Sequence, residues 1–175
     1  MVKFSAIKGA ACRVESGQTT FTVFPDKVDA KERALVSNPI EEFSKETVSW
    51  PGEYDFGGIF LRGIGQDDGK QVSFSGTIDN VRCAFVNAPV QDWNDEDLQK
   101  LGDVDVLVIA PDDDKKVKAL IESVDPRVVI FFGEGKNLQA CVKACGVSTA
   151  ETLDQLKVQQ SSLPTDVRQV VVLSS

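Results

Sequence analysis

Val104-Asp105-Val106-Leu107-Val108-Ile109 decides the architecture, because a nearly continuous apolar run of this length reads as a strand covered on both faces. The next segment changes period. Lys115 to Ser123 sets Val117, Leu120 and Ile121, with Val124 beyond, at helical spacing, and Pro126 ends the segment. Arg127-Val128-Val129-Ile130-Phe131-Phe132 is then a second buried strand, and Asn137 to Cys145 a second helix closed by Gly146. Strand, helix, strand, helix predicts a right-handed parallel crossover. Just upstream, Asn94 is a good N-cap for a short helix over Asp95 to Lys100. Downstream, Leu156 to Val158 and Gln169 to Leu173 return as late strands.

Upstream of these segments the chain is strand-rich. Val2 to Ile7, Cys12 to Glu15 and Thr19 to Phe24 are short β-branched or alternating runs, separated by Lys8-Gly9 and Ser16-Gly17 as in a hairpin meander. Ala34-Leu35-Val36-Ser37 is a compact apolar run stopped by Asn38-Pro39. Trp50-Pro51-Gly52-Glu53-Tyr54-Asp55-Phe56-Gly57-Gly58 marks a turn into a strand with close backbone approach. Ile59 to Ile64 is expected to pair with Val72 to Ile78 across a loop ending Asp67-Asp68-Gly69, and Asp79-Asn80 turns the chain into Val81 to Val86. A meander followed by strand-helix repeats and a terminal strand predicts an α/β (α+β) sandwich of sheets with outer helices, built as one domain over residues 1-175.

Composition narrows the function classes. With 42% apolar and 26% charged residues the chain is an ordinary globular mixture. Nineteen basic against twenty-seven acidic residues leave a net charge of -8, and no Lys/Arg cluster offers a local exception. Such a surface repels phosphate backbones and anionic membranes, so neither nucleic-acid nor membrane binding is expected. Met1-Val2-Lys3-Phe4-Ser5-Ala6-Ile7 is too short and polar for a secretory leader, which makes a cytoplasmic location the expectation.

The chain contains no histidine. Imidazole is the side chain that titrates near neutral pH unaided and the commonest nitrogen ligand for zinc, so the usual proton shuttle and the usual catalytic zinc cage are absent together. No Gly-x-Ser-x-Gly motif is present, and no serine or cysteine has a histidine to activate it. Cys12, Cys83, Cys141 and Cys145 form no Cys-x-x-Cys pair, and although Cys141 and Cys145 share a helix face, buried apolar roles are expected for all four.

Three stretches nevertheless carry a family likeness: Pro51 to Ile59, Leu101-Gly102-Asp103 running into Val104 to Ile109, and Leu156-Lys157-Val158 through Ser162-Leu163-Pro164 to Val170-Val171-Val172-Leu173. On these the chain resembles the small metal-dependent hydrolases of the metallo-β-lactamase fold. The resemblance implies an αββα sandwich of two mostly antiparallel sheets, and it locates where the family's ligands would stand. The Gly-His pair after the first strand corresponds to Gly9-Ala10, and the buried aspartate before a proline to Phe24 before Pro25. The His-x-His-x-Asp-His loop corresponds to Asn38, Ile40, Glu42 and Phe43. The later histidine and Gly-Asp correspond to Phe85 and Asn87-Ala88, and the last metal histidine falls near Gly133. On this register Ala10, Phe24, Asn38, Ile40, Glu42, Phe43, Ala88 and Gly133 are vestigial positions, of which Glu42 alone keeps ligand capacity. Ile40 and Phe43 are expected to fill the former pocket with apolar side chains.

The reading is thus a degenerate member, a pseudoenzyme without catalytic, metal-binding or cofactor-binding residues, which binds or scaffolds a protein or small-molecule partner. Two alternatives stand beside it. One is a divalent-metal hydrolase using carboxylates such as Glu41, Glu42 and Asp112 to Asp114, where a weak Mg²⁺ or Ca²⁺ site is conceivable; helix capping is the simpler account of Asp112-Asp113-Asp114 and of Asp92-Trp93-Asn94-Asp95-Glu96-Asp97. The other is a small-molecule sensor using a residual cleft. Gly63-Ile64-Gly65 with Gly69, and Gly133-Glu134-Gly135-Lys136, match no nucleotide fingerprint and read as turn glycines.

Overall fold

The computed structural model describes every residue except Gly9, Ala10, Glu42, Phe43, Glu134 and Lys136. In chain order the strands of the first half are β1 (Val2–Ile7), β2 (Ala11–Glu15), β3 (Thr20–Val23), β4 (Ala34–Leu35), β5 (Thr47–Val48), β6 (Gly52–Phe56), β7 (Ile59–Gln66), β8 (Gln71–Ile78) and β9 (Val81–Val86). The second half contributes α1 (Asp95–Leu101), β10 (Val106–Ile109), α2 (Asp114–Val124), β11 (Val128–Phe132), α3 (Leu138–Ala144), β12 (Glu151–Leu153), β13 (Gln155–Val158) and β14 (Gln169–Leu173).

These strands form two sheets. One has the order β13-β1-β2-β3-β4-β5 and the other β12-β14-β11-β10-β9-β8-β7-β6. The meander strands pair antiparallel, whereas β9, β10, β11 and β14 run parallel as the apolar runs required. Alternation then assigns the faces. Phe4, Cys12, Val14, Phe21 and Leu35 from the first sheet meet Leu61, Phe74, Phe85, Val108 and Ile130 from the second in the core between them. On its other face the second sheet supplies Ile64, Ala84, Leu107, Ile109 and Phe131 to a further core with Val117, Leu120, Ile121, Cys141 and Val142 of the helices. The expected two-sheet sandwich with outer helices is present, and all three helices lie against the second sheet.

Helix ends follow the sequence chemistry. Asn94 Oδ1 accepts the Asp97 N–H at 2.8 Å, capping α1, and Asp113 Oδ1 accepts the N–H groups of Lys115 and Lys116, capping α2. Cys141 and Cys145 are buried, with the Cys145 thiol turned back onto the Cys141 carbonyl. Two details correct the sequence reading. Gly63 and Gly65 lie inside β7 rather than in a turn, and they are glycines because the 50–51 backbone passes over them: a Cβ on Gly63 would stand 2.6 Å from the Trp50 carbonyl oxygen, and one on Gly65 2.8 Å from the Pro51 ring. The first buried parallel strand starts at Val106 rather than Val104, because Asp105 is a polar hinge. Its carboxylate is 4% exposed and accepts hydrogen bonds from Arg82 N, Nε and Nη2 at 3.0, 2.9 and 2.7 Å.

Candidate functional site

Parallel strands β9, β10, β11 and β14 open at one edge of the sandwich, where an open sheet presents its loops to a ligand. The ends of β3 and β4 reach the same edge, because Phe24 contacts Phe132 and Ser37 contacts Asn87. This edge therefore brings Phe24, at the end of β3, near Phe132 and sets Asn87, at the end of β9, against Ser37.

Phe24 leaves β3 with φ 54°, a left-handed conformation that costs a residue with a Cβ roughly 1–2 kcal/mol. Its N–H is held by the Leu35 carbonyl at 2.8 Å. The bend turns the ring, 5% exposed, into the inter-sheet core, 6.2 Å from the Phe74 ring and 6.0 Å from that of Phe132, both centroid distances. Phe85 is buried deeper and meets Phe21 edge-on. Aromatic packing thus continues up to the edge.

Above it lies a net of amides and hydroxyls. Asn87 Nδ2 donates to Ser37 Oγ at 2.9 Å, linking the second sheet to the first, and Val72 N–H donates to the Ser37 carbonyl at 2.7 Å. Gln71 Nε2 donates to the Asn87 carbonyl and Gln91 Nε2 to Gln71 Oε1, at 3.1 and 2.8 Å. Asp112 Oδ2 accepts Val90 N–H at 2.8 Å, and the Asp112 carbonyl accepts the Cys141 thiol at 3.2 Å. Sequence reasoning named Asn87 only as a neighbour of Ala88 and missed Ser37 and Gln71. Their signal was slight: polar residues at the ends of apolar runs.

The remaining positions diverge. Asn38 and Ala88 are exposed, Gly133 is half-buried with φ 78°, and Glu41 is exposed. Ile40 is half-buried and belongs to neither core; its N–H donates to Ser49 Oγ at 3.1 Å and its carbonyl accepts Trp50 Nε1 at 2.9 Å. Ile40 is thus not the core side chain it was expected to be, whereas Phe24 is one. Ala10, Glu42 and Phe43 lie outside the described residues.

The fold has known counterparts. A candidate Zn-dependent hydrolase of the metallo-β-lactamase superfamily from Thermotoga maritima superposes with a TM-score of 0.74, covering 99% of this chain and 98% of its own at 17% identity. The fold is that of the metallo-β-lactamases. The metallo-β-lactamase fold protein YhfI from Bacillus subtilis agrees, with a TM-score of 0.63, 8% identity, and coverage of 99% of this chain and 96% of its own. The β-hydroxylase CmlA, as an E-to-D variant, matches 75% of this chain over 45% of its own, at 8% identity and a TM-score of 0.55. Neither a scan against protein-family models nor a search of curated proteins returned a match.

A catalytic zinc in this fold needs about three nitrogen, sulfur or carboxylate ligands and an open position. Phe24, Ile40, Ala88 and Gly133 offer no side-chain lone pair, and Asn38 offers only an amide. Among the described residues no three His, Cys, Asp or Glu side chains converge as a ligand set. The described residues at this edge do not fit the metal that a metallo-β-lactamase fold implies.

Proposed function

We propose that this chain is a pseudoenzyme of the metallo-β-lactamase fold, with its metal site lost, which acts as a binding or scaffolding protein. The observation that carries this reading is the packing of Phe24 between Phe74 and Phe132, where the family resemblance sets a buried carboxylate. A phenyl ring there replaces the polar lining that a metal-bound hydroxide needs, and no imidazole is available elsewhere in the chain to restore it. The partner is a protein or small molecule. A net charge of -8 argues against nucleic acids and anionic membranes, and no helix among the described residues is long and apolar enough to cross a bilayer. Four buried, unpaired cysteines suit the reducing cytoplasm.

A carboxylate-based hydrolase is less well supported. Asp112 accepts the Val90 N–H and so anchors the loop after β9, and Asp113 accepts the N–H groups at the start of α2 as its cap. The sensor alternative keeps one favourable observation, a cleft of about 740 Å³ bordered by Ile7, Lys8, Gly133, Leu138 and Leu173. Assays of the purified chain with added zinc or manganese, against phosphodiester, lactone and thioester substrates, test the proposal. It predicts no metal-dependent turnover, and saturable turnover that a chelator abolishes would reject it.

A further inference from the structure

The helices all cover the second sheet, and the β3–β4 connection lies beside the outer face of β2 and β3 in the first. Between that face and the connection lies a pocket of about 370 Å³, within the size range of small-molecule sites. Arg13 stands in its wall. Four of the six arginines hold a carboxylate, Arg33 with Glu46, Arg62 with Glu53, Arg82 with Asp105 and Arg168 with Asp125. Arg127 is exposed to water. Arg13 is half-buried, and its Nε is shut from solvent with no acceptor among the described residues.

Unlike the four paired arginines, Arg13 lines a pocket and forms no salt bridge among the described residues, so its guanidinium is matched best by an oxygen acceptor entering that pocket, above all an anionic one. The neighbours suit such a group. Thr22 faces Arg13 across the β2–β3 pair and lines the same pocket, while Ala11 and Ala34 provide small apolar walls. Lys8 and Lys27 add exposed ammonium groups at the mouth. Asp26, Asp29 and Glu32 also border it, all exposed, and Asp29 Oδ1 is already occupied by the Lys31 N–H. A rim of mixed sign on an acidic protein rejects polyanions but admits a compact ligand.

We infer that this pocket binds a small organic oxyanion, a carboxylate or phosphate, with Arg13 as its anchoring residue and Thr22 beside it. The pocket adjoins Phe24 at Pro25 and shares Ile7, Lys8 and Ala11 with the cleft bordered by Gly133, but Arg13 and Thr22 line only the former, so oxyanion binding there does not depend on the pseudoenzyme reading. ¹⁵N-labelled full-length chain would be titrated with sodium phosphate, sodium acetate or sodium chloride at matched ionic strength, following the Arg13 Nε–H resonance and the amides of Thr22 and Ala34. Saturable shifts with phosphate or acetate beyond those with chloride are expected, with binding weakened about tenfold or more in Arg13→Gln and severalfold in Thr22→Val. Response to phosphate alone identifies a phosphate ester as the ligand class, and response to acetate alone a carboxylate. Should Arg13→Gln not fold, Thr22→Val reads the same site. Shifts no larger than those with chloride, or undiminished saturation in both variants, would overturn the assignment.

Discussion

Asn87 and Ser37 stand just beyond strands of opposite sheets, after β9 and β4, and are joined by one 2.9 Å hydrogen bond, from the Asn87 amide to the Ser37 hydroxyl, at the edge where the family's ligands would converge. Asn87 serves three partners at once, since its Oδ1 accepts the Ala88 N–H and its carbonyl accepts Gln71 Nε2. Asn87→Ala should therefore destabilise the chain by about 1–3 kcal/mol, and Ser37→Ala by about 1 kcal/mol. Urea denaturation of both single variants and the double would show a positive coupling. Strict additivity would mean that the cross-sheet bond contributes nothing.

Phe24 combines a deep ring with an unfavourable backbone. Phe24→Ala is expected to cost about 3–5 kcal/mol, as for other buried phenylalanines. Glycine normally falls below alanine by roughly 0.5–1 kcal/mol, but at φ 54° the order should reverse, leaving Phe24→Gly at least as stable as Phe24→Ala. Thermal unfolding of the two variants decides this. A melting point within a degree or two of wild type would show that the ring does not fill the edge.

How far the sequence carried can be judged from individual elements. The helices and buried parallel strands were legible because periodicity and capping chemistry act locally, as at Asn94 and Asp113. Two-residue β4 and β5 were less so, since such strands exist only through their pairing with distant partners. Asp105 passed as an exception within an apolar run because its partner, Arg82, is 23 residues away. The resemblance singled out Phe24, yet the burial of its ring between Phe74 and Phe132 depends on a left-handed bend that no local pattern announces. Gly63 and Gly65 did carry a signal, alternating glycines within a strand pattern, which indicates close backbone approach.

Asp105 should shape the acid limb of stability. Side-chain hydrogen bonds from Arg82, opposed by burial and aided by the Arg82 N–H and charge, hold its carboxyl below the usual aspartate range. An unfolded aspartate titrates near about 3.9. The pair's contribution is complete above that value and is lost as pH falls through the lower folded value. Asp105→Asn should be less stable at neutral pH and should lose less stability than wild type below about pH 4. Parallel pH profiles for the two proteins would contradict the pairing.

The cysteines should behave as core side chains. Burial pushes the Cys12 thiol up to about 12 and that of Cys145 to about 11, and raises those of Cys83 and Cys141. At pH 8 none should react with an aromatic disulfide reagent faster than the chain unfolds, and all four should react in denaturant. Prompt labelling of any one in the native protein would show that its pocket is open.

The proposed loss of the metal site is tested most directly by elemental analysis of the purified, tag-free chain, combined with thermal unfolding with and without chelator. The account predicts far less than one zinc, iron or manganese per chain and the same unfolding midpoint in both conditions. About one transition metal per chain, with a midpoint that falls on chelation, would contradict it, because metal held that tightly requires the ligands this edge is argued to have lost.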